Sequence, residues 1–209
     1  MVTISKTTTN QIKSRKRVAE RGEVFTAERE VKAMLDMVKS ETDRIDSRFL
    51  EPACGNGNFL VEILRRKLSA VENQKHMWHR DKIAEKMADL SVFAVSSIYG
   101  IDIMQDNVEE SRVRMLSTLS EWYEKVTTGL YPLRDGIKGM KPTPELIEAW
   151  NFILDHNIMC GDFLTMAHPE TKEPLKVRQW NIDGKRVEYT DYLLSDLVNG
   201  NEPRQLMLW

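Results

Sequence analysis

A chain of 209 residues with 41% hydrophobic content is long enough to bury a core and too apolar for wholesale disorder. Its 30 basic and 32 acidic residues leave a formal charge of -2, so no global positive field draws it to nucleic acid and a DNA-binding face has to be local. Two cysteines do not suggest a disulfide framework, and four scattered histidines give no metal-ligand spacing, so no metal is expected.

Residues 1–20 are polar, with Lys13, Arg15, Lys16 and Arg17 bunched together, and read as a flexible basic tail that is either solvated or in contact with nucleic acid. Met1 to Asn10 lacks the apolar run of a signal peptide and no stretch approaches a membrane-spanning length, which points to a cytoplasmic protein without a membrane partner. From Thr26, a candidate cap, the spacing of Val31, Met34, Leu35 and Val38 predicts a helix with one buried face. Arg48-Phe49-Leu50 leads into a first strand, and the helix after it carries Phe59, Leu60, Ile63, Leu64 and Leu68 inward. The charge-rich residues 72–90 suggest an exposed helical insertion. Val92 to Val95 through Tyr99-Gly100-Ile101 can supply a second strand ending at Asp102.

Asp106 and Glu109 have capping-box spacing ahead of a long amphipathic helix marked by Val108, Met115, Leu119, Trp122 and Val126. A Gly- and Pro-rich loop separates it from another helix, with Leu146, Ile147, Trp150, Ile153 and Leu154 on its apolar side, and Ile158-Met159-Cys160 is a third short strand. Lys176 to Tyr189 reads as a β-hairpin turning at Asp183-Gly184, and Tyr192, Leu193, Leu194 and Leu197 suggest a short final helix. Alternating strands and helices argue for an α/β domain over residues 21–165, with a parallel sheet and a ligand at the strand C-termini, followed by a hairpin and tail over 166–209.

The first strand runs into Glu51-Pro52-Ala53-Cys54-Gly55-Asn56-Gly57-Asn58-Phe59-Leu60. Glycines at 55 and 57 let a backbone lie close to a ligand. A carboxylate at the strand tip repels phosphate and pairs with a cation, so the ligand is expected to carry an ammonium, with S-adenosyl-L-methionine the obvious candidate. Asp102 caps the following helix or accepts from ribose hydroxyls, Asp162 reads as a turn residue after Gly161, and Cys54 reads as a small packing residue.

This decapeptide resembles the cofactor loop of N6-adenine-specific DNA methyltransferases of restriction-modification systems. Arg21-Gly22-Glu23-Val24-Phe25-Thr26 is similar to the family's N-terminal cofactor-binding segment, although Ala27-Glu28 stands where Pro-Pro is common. Tyr99-Gly100-Ile101-Asp102-Ile103 resembles its second strand, and Cys160-Gly161-Asp162-Phe163-Leu164 its adenine-binding turn. The resemblance implies a Rossmann-like class I S-adenosylmethionine-dependent methyltransferase fold, truncated after the third strand. It also implies a cofactor site of Phe25, Thr26, Glu51, Pro52, Ala53, Cys54, Gly55, Gly57, Phe59, Asp102, Ile103, Asp162 and Phe163, with Asp102 on the ribose and Asp162 and Phe163 on the adenine.

The family's catalytic Asn/Asp-Pro-Pro-Tyr/Phe motif is absent. The nearest match is Asn201-Glu202-Pro203-Arg204, which makes Asn201, Pro203 and Arg204 a degraded version, with Arg204 able to stack on a base. With Trp209 five residues beyond Arg204, the expectation is an adenine methyltransferase that needs a partner for catalytic motif and DNA target recognition, or alternatively an inactive cofactor-binding module or regulator. The first strand's outer edge would then be covered by the hairpin, by a second copy in a homo-oligomer or by a complementary methyltransferase subunit.

Overall fold

A computed structural model describes residues 24–128, 130, 139–183 and 186–200, together with 13, 14, 16, 17 and 19. Three parallel strands, β1 (Phe49–Glu51), β2 (Ile98–Asp102) and β3 (Ile158–Cys160), form a sheet in the order β1-β2-β3. Before β1 come α1 (Glu28–Asp36) and the single turn α2 (Lys39–Thr42). The crossover from β1 to β2 contains α3 (Asn58–Glu72), two 3-10 turns and α4 (Ile83–Ser96). That from β2 to β3 contains α5 (Gln105–Thr127) and α6 (Pro144–Asn157). A separate antiparallel hairpin, β4 (Lys176–Asp183) and β5 (Arg186–Leu193), leads into α7 (Leu194–Val198). Among the described residues no helix is long and apolar enough to cross a membrane.

The predicted helix faces of α3, α5 and α6 meet in one core. Leu60, Leu64 and Leu68 of α3, Met115 and Leu119 of α5, and Trp150 and Leu154 of α6 are almost wholly buried there. Trp150 gives its indole N–H to Ser91 Oγ of α4 at 3.0 Å, which satisfies the polar end of the largest buried side chain. Thr143 accepts from the Leu146 N–H at 3.3 Å and Pro144 follows it, a cap and first-turn proline that set where α6 begins.

Several expectations are corrected. Residues 92–96 lie in α4, not in the second strand, and 83–90 are not an exposed insertion, because Ile83, Ala84, Met87, Val92, Ala94 and Val95 pack between α3 and α6. Thr26 does not cap α1. Ala27 occupies that position without a side-chain bond, and Met34 and Val38 face solvent while Val31 and Leu35 are buried. Met104, not Asp106, precedes the first residue of α5. The hairpin pairs Asp183 with Arg186, so Asp183 belongs to the outgoing strand and not to the turn.

The hairpin packs on the body instead of extending the sheet. The Tyr99 hydroxyl donates to the Arg178 carbonyl at 2.8 Å, and the Trp180 indole N–H donates to Asn157 Oδ1 at 2.7 Å. Asn157 Nδ2 in turn donates to the Ile98 carbonyl at 3.0 Å. Leu175, Val177 and Leu194 cover Ile101 on the same side. Among the described strands β1 pairs with β2 alone, and Leu50 at its middle is exposed.

Candidate functional site

The turn after β1 is fixed by its own backbone and by β2. Cys54 N–H donates to the Ile101 carbonyl and Gly57 N–H to the Cys54 carbonyl, both at 2.9 Å. Gly55 (φ 53°) and Gly57 (φ 86°) are left-handed. A Cβ on Gly55 would lie 3.1 Å from two ring atoms of Phe25, and one on Gly57 would lie 2.8 Å from Ser111 Oγ. Both glycines therefore answer to backbone angle and to protein neighbours as well as to any ligand.

Asp102, at the C-terminus of β2 and buried, latches this loop. Its Oδ2 accepts from the Gly55 N–H at 2.9 Å, and its Oδ1 accepts from the Met104 N–H at 2.9 Å and Asn107 Nδ2 at 3.1 Å. Behind the loop, Ser111 Oγ donates to the Gly55 carbonyl at 3.0 Å, and Arg114 donates to the Asn56 carbonyl at 2.6 Å and to Asn58 Oδ1 at 2.8 Å. Asn58 Nδ2 completes the chain by donating to the Thr26 carbonyl at 2.8 Å, which ties the N-terminal segment to the first turn of α3. None of Asn58, Ser111 and Arg114 stood out in the sequence, because each acts through contacts more than thirty residues away.

These ties enclose a cavity of about 310 Å³. Of the expected set, Phe25, Thr26, Glu51, Ala53, Cys54, Gly55, Phe59, Asp102 and Ile103 line it, joined by Val24, Asn56, Asn58 and Met104. Pro52 and Gly57 belong to the same loop without lining the cavity. Asp162 and Phe163 do not line it, although the neighbouring Gly161 N–H donates to the Asp102 carbonyl at 2.9 Å. The Asp162 Oδ1 accepts from the Leu164 N–H at 2.9 Å in a local turn, and Phe163 packs against the small apolar cluster of Ile101, Leu175 and Leu194. The three catalytic candidates, Asn201, Pro203 and Arg204, fall outside the described residues.

Glu51 is half-buried, and the bond recorded for its carboxylate is a long one, 3.4 Å, from the Ala53 N–H. Burial pushes its carboxyl pKa up, only partly offset by that bond. A carboxylate so placed gains most from a cation delivered by a ligand. The Cys54 thiol is pushed far up, first by burial and then by the neighbouring Asp102 charge, so it is a packing group and not a nucleophile at neutral pH.

A second cavity, about 890 Å³, adjoins the first by sharing Ile103 and Met104. It is further lined by Arg17, Gln105, Asp106, Cys160, His168, Pro169 and Glu170. Here part of the basic N-terminal cluster is held. Arg17 pairs with Asp106 at 2.7 Å, and Lys13 pairs with Asp106 at 3.1 Å and Glu110 at 2.7 Å. Among the described residues no group of three or more His, Cys, Asp or Glu is placed to hold a metal ion.

A scan against family models, a search of curated proteins and a search of solved structures each return no match for this chain.

Proposed function

We propose that this chain is the S-adenosylmethionine-binding part of a DNA adenine N6-methyltransferase, with a Rossmann-like class I core, that acts with a partner supplying the catalytic motif and target recognition. The observation that carries this reading is the convergence of Glu51, the left-handed glycine turn, Phe25, Thr26, Asp102 and Ile103 on one cavity at the C-terminal ends of two adjacent parallel strands.

The donor and acceptor set fits the cofactor. The under-bonded, half-buried Glu51 suits an α-ammonium, Asp102 suits a ribose hydroxyl, and Phe25, Phe59 and Ile103 supply apolar walls. Bound there, the cofactor would supply a methyl group on a sulfonium. The protein's own residues bind and orient it: Glu51 sets the amino-acid end, Asp102 holds the loop through Gly55, and the Asn58 bond to the Thr26 carbonyl keeps the N-terminal segment against the cavity.

The chain has no Asn/Asp-Pro-Pro-aromatic run, which supports both the partner and a second reading, a module that binds the cofactor without transferring methyl. Calorimetric titration with S-adenosylmethionine tests the shared premise. Saturable binding is expected, weakened at least tenfold by Glu51→Gln, because a charge-assisted hydrogen bond is worth about 1.5–3 kcal/mol. No heat and no thermal shift at millimolar cofactor would remove the premise. Methyl incorporation into duplex DNA, with and without a partner carrying the motif, then separates the two readings.

A further inference from the structure

We propose that Lys13 is a positioning residue for the glycine turn: its ammonium keeps the Glu110 carboxylate on Asn56 and off Arg114, so part of the N-terminal basic cluster sets the wall of the first cavity. What the cavity holds rests on the proposed function, whereas how its wall is held does not.

Two basic side chains four residues apart, Lys13 and Arg17, meet two acids four residues apart, Asp106 and Glu110, in the first two turns of α5. The positive end of a helix repels cations, so the carboxylates and not the helix hold the basic side chains there. Arg17 foremost, with Lys13 beside it, draws the Asp106 pKa down to about 2, which keeps that acid charged at neutral pH. Glu110 faces both ways. Its Oε2 takes Lys13 Nζ at 2.7 Å, and its Oε1 accepts from Asn56 Nδ2 at 3.1 Å. Asn56 is buried, follows Gly55 in the turn and lines the first cavity.

The same carboxylate has a competing partner. Arg114 stands one turn further along α5 with Glu110 on its N-terminal side, the favourable order for a helical ion pair. Arg114 instead gives Nη1 to the Asn56 carbonyl at 2.6 Å and to Asn58 Oδ1 at 2.8 Å. Both bonds hold the turn, and Asn58 carries the connection on to the Thr26 carbonyl. With Lys13 on Oε2, Glu110 is engaged at both oxygens and Arg114 is left to the turn. Without Lys13 the carboxylate is free to swing to Arg114, which weakens the hold on the Asn56 side chain and on its carbonyl together. One part-exposed ammonium thus reaches Asn56 and Asn58 through two side chains of α5.

The test measures two quantities on the full chain, hydrogen exchange of the turn without ligand and affinity for S-adenosylhomocysteine. Exchange over residues 53–58 reads the turn directly, since the Cys54, Gly55 and Gly57 N–H groups are bonded while it is closed. Lys13→Gln should speed that exchange about threefold to fivefold and weaken S-adenosylhomocysteine binding by a similar factor, the scale of a part-exposed ion pair. Its melting temperature should stay within about 3 °C of wild type. Lys13→Arg should match wild type in both measurements. In a Glu110→Gln background, Lys13→Gln should change each by less than about twofold, because its route to the turn is already cut. Unchanged exchange in Lys13→Gln, an equal loss in Lys13→Arg, or a loss of the same size in the Glu110→Gln background overturns the proposal, even where wild type binds the ligand. Faster exchange in Lys13→Gln with no binding of S-adenosylhomocysteine by wild type supports the hold on the turn and removes the cofactor reading.

Discussion

Lys67 offers the sharpest test of how this fold holds its glycine loop. It lies on the inner side of α3, is fully buried, and donates from Nζ to the carbonyls of Arg44 at 3.0 Å, Ile45 at 2.9 Å and Ser47 at 2.5 Å. One ammonium thus fastens the segment that feeds β1, and β1 feeds the site. Lys67→Met keeps most of the side chain's volume and removes the three bonds. All three carbonyls lose their donor, because the single proton of the Ser97 hydroxyl, 3.2 Å from the Ile45 carbonyl, has a shorter bond to the Ala94 carbonyl at 2.8 Å. Three acceptors left without the ammonium at about 1–3 kcal/mol each, less about 3 kcal/mol regained by no longer burying a charge, give a net loss centred on about 3 kcal/mol at pH 7. The pH dependence gives a second reading. Burial pushes the Lys67 pKa down to about 8 from an ordinary 10.5. Between those values the unfolded chain binds more protons than the folded one, so Lys67 contributes stability that grows as pH rises and is smallest below pH 8. From pH 7 to 9.5 the gap between wild type and Lys67→Met should therefore widen, by about 2 kcal/mol. Comparison with the variant cancels the other groups that titrate in this range. Urea denaturation at the two pH values measures both quantities. A variant as stable as wild type at pH 7, or a gap that narrows as pH rises, would refute the reasoning.

Two further outcomes follow from the site. Gly57→Ala should destabilise the chain by about 1–3 kcal/mol, since it adds a left-handed non-glycine residue to a Cβ 2.8 Å from Ser111 Oγ, and a thermal melt that matches wild type would count against a rigid turn at this position. Because burial raises the Glu51 pKa and an ammonium ligand needs its carboxylate ionised, cofactor affinity should fall as pH drops from 7 to 5, and Glu51→Gln should flatten that profile. Titrations across the range check it, and an equal fall in the variant would mean that another group is responsible.

The glycine turn, the third strand, the hairpin and the faces of α3, α5 and α6 were legible because each leaves a local mark: paired glycines, a short apolar run, alternation, or a 3.6-residue stripe. The stretch from 83 to 96 was not. Val92, Phe93 and Val95 favour a strand locally, but a helix packed against neighbours on more than one side loses its stripe and reads as a continuous apolar run, and the packing of Met87, Ala94 and Val95 decides the outcome. Lys67 was equally hidden. A lysine among leucines reads as a solvated break in the apolar face, and its acceptors lie 20 to 23 residues upstream.

Asp102 brings these levels together, because the fold and the proposed ligand make claims on the same two oxygens. A carboxylate offers about four lone-pair positions. Three of them already serve the protein, with the Met104 N–H and Asn107 amide on Oδ1 and the Gly55 N–H on Oδ2. One ribose hydroxyl can join at Oδ2 without displacing anything. A second could be accepted only by surrendering the Asn107 amide or the Gly55 N–H, and the latter would release the latch on the loop. The ligand is then expected to bond one hydroxyl to Asp102 and leave the loop closed, or to exchange the Gly55 bond for a second hydroxyl and let Gly55 move away from Phe25. In either case Asp102 acts through the position of the glycine turn as well as by direct contact. Its removal would therefore cost folding stability even where no ligand is present, and that cost separates it from Glu51, whose recorded bond is the long one from Ala53.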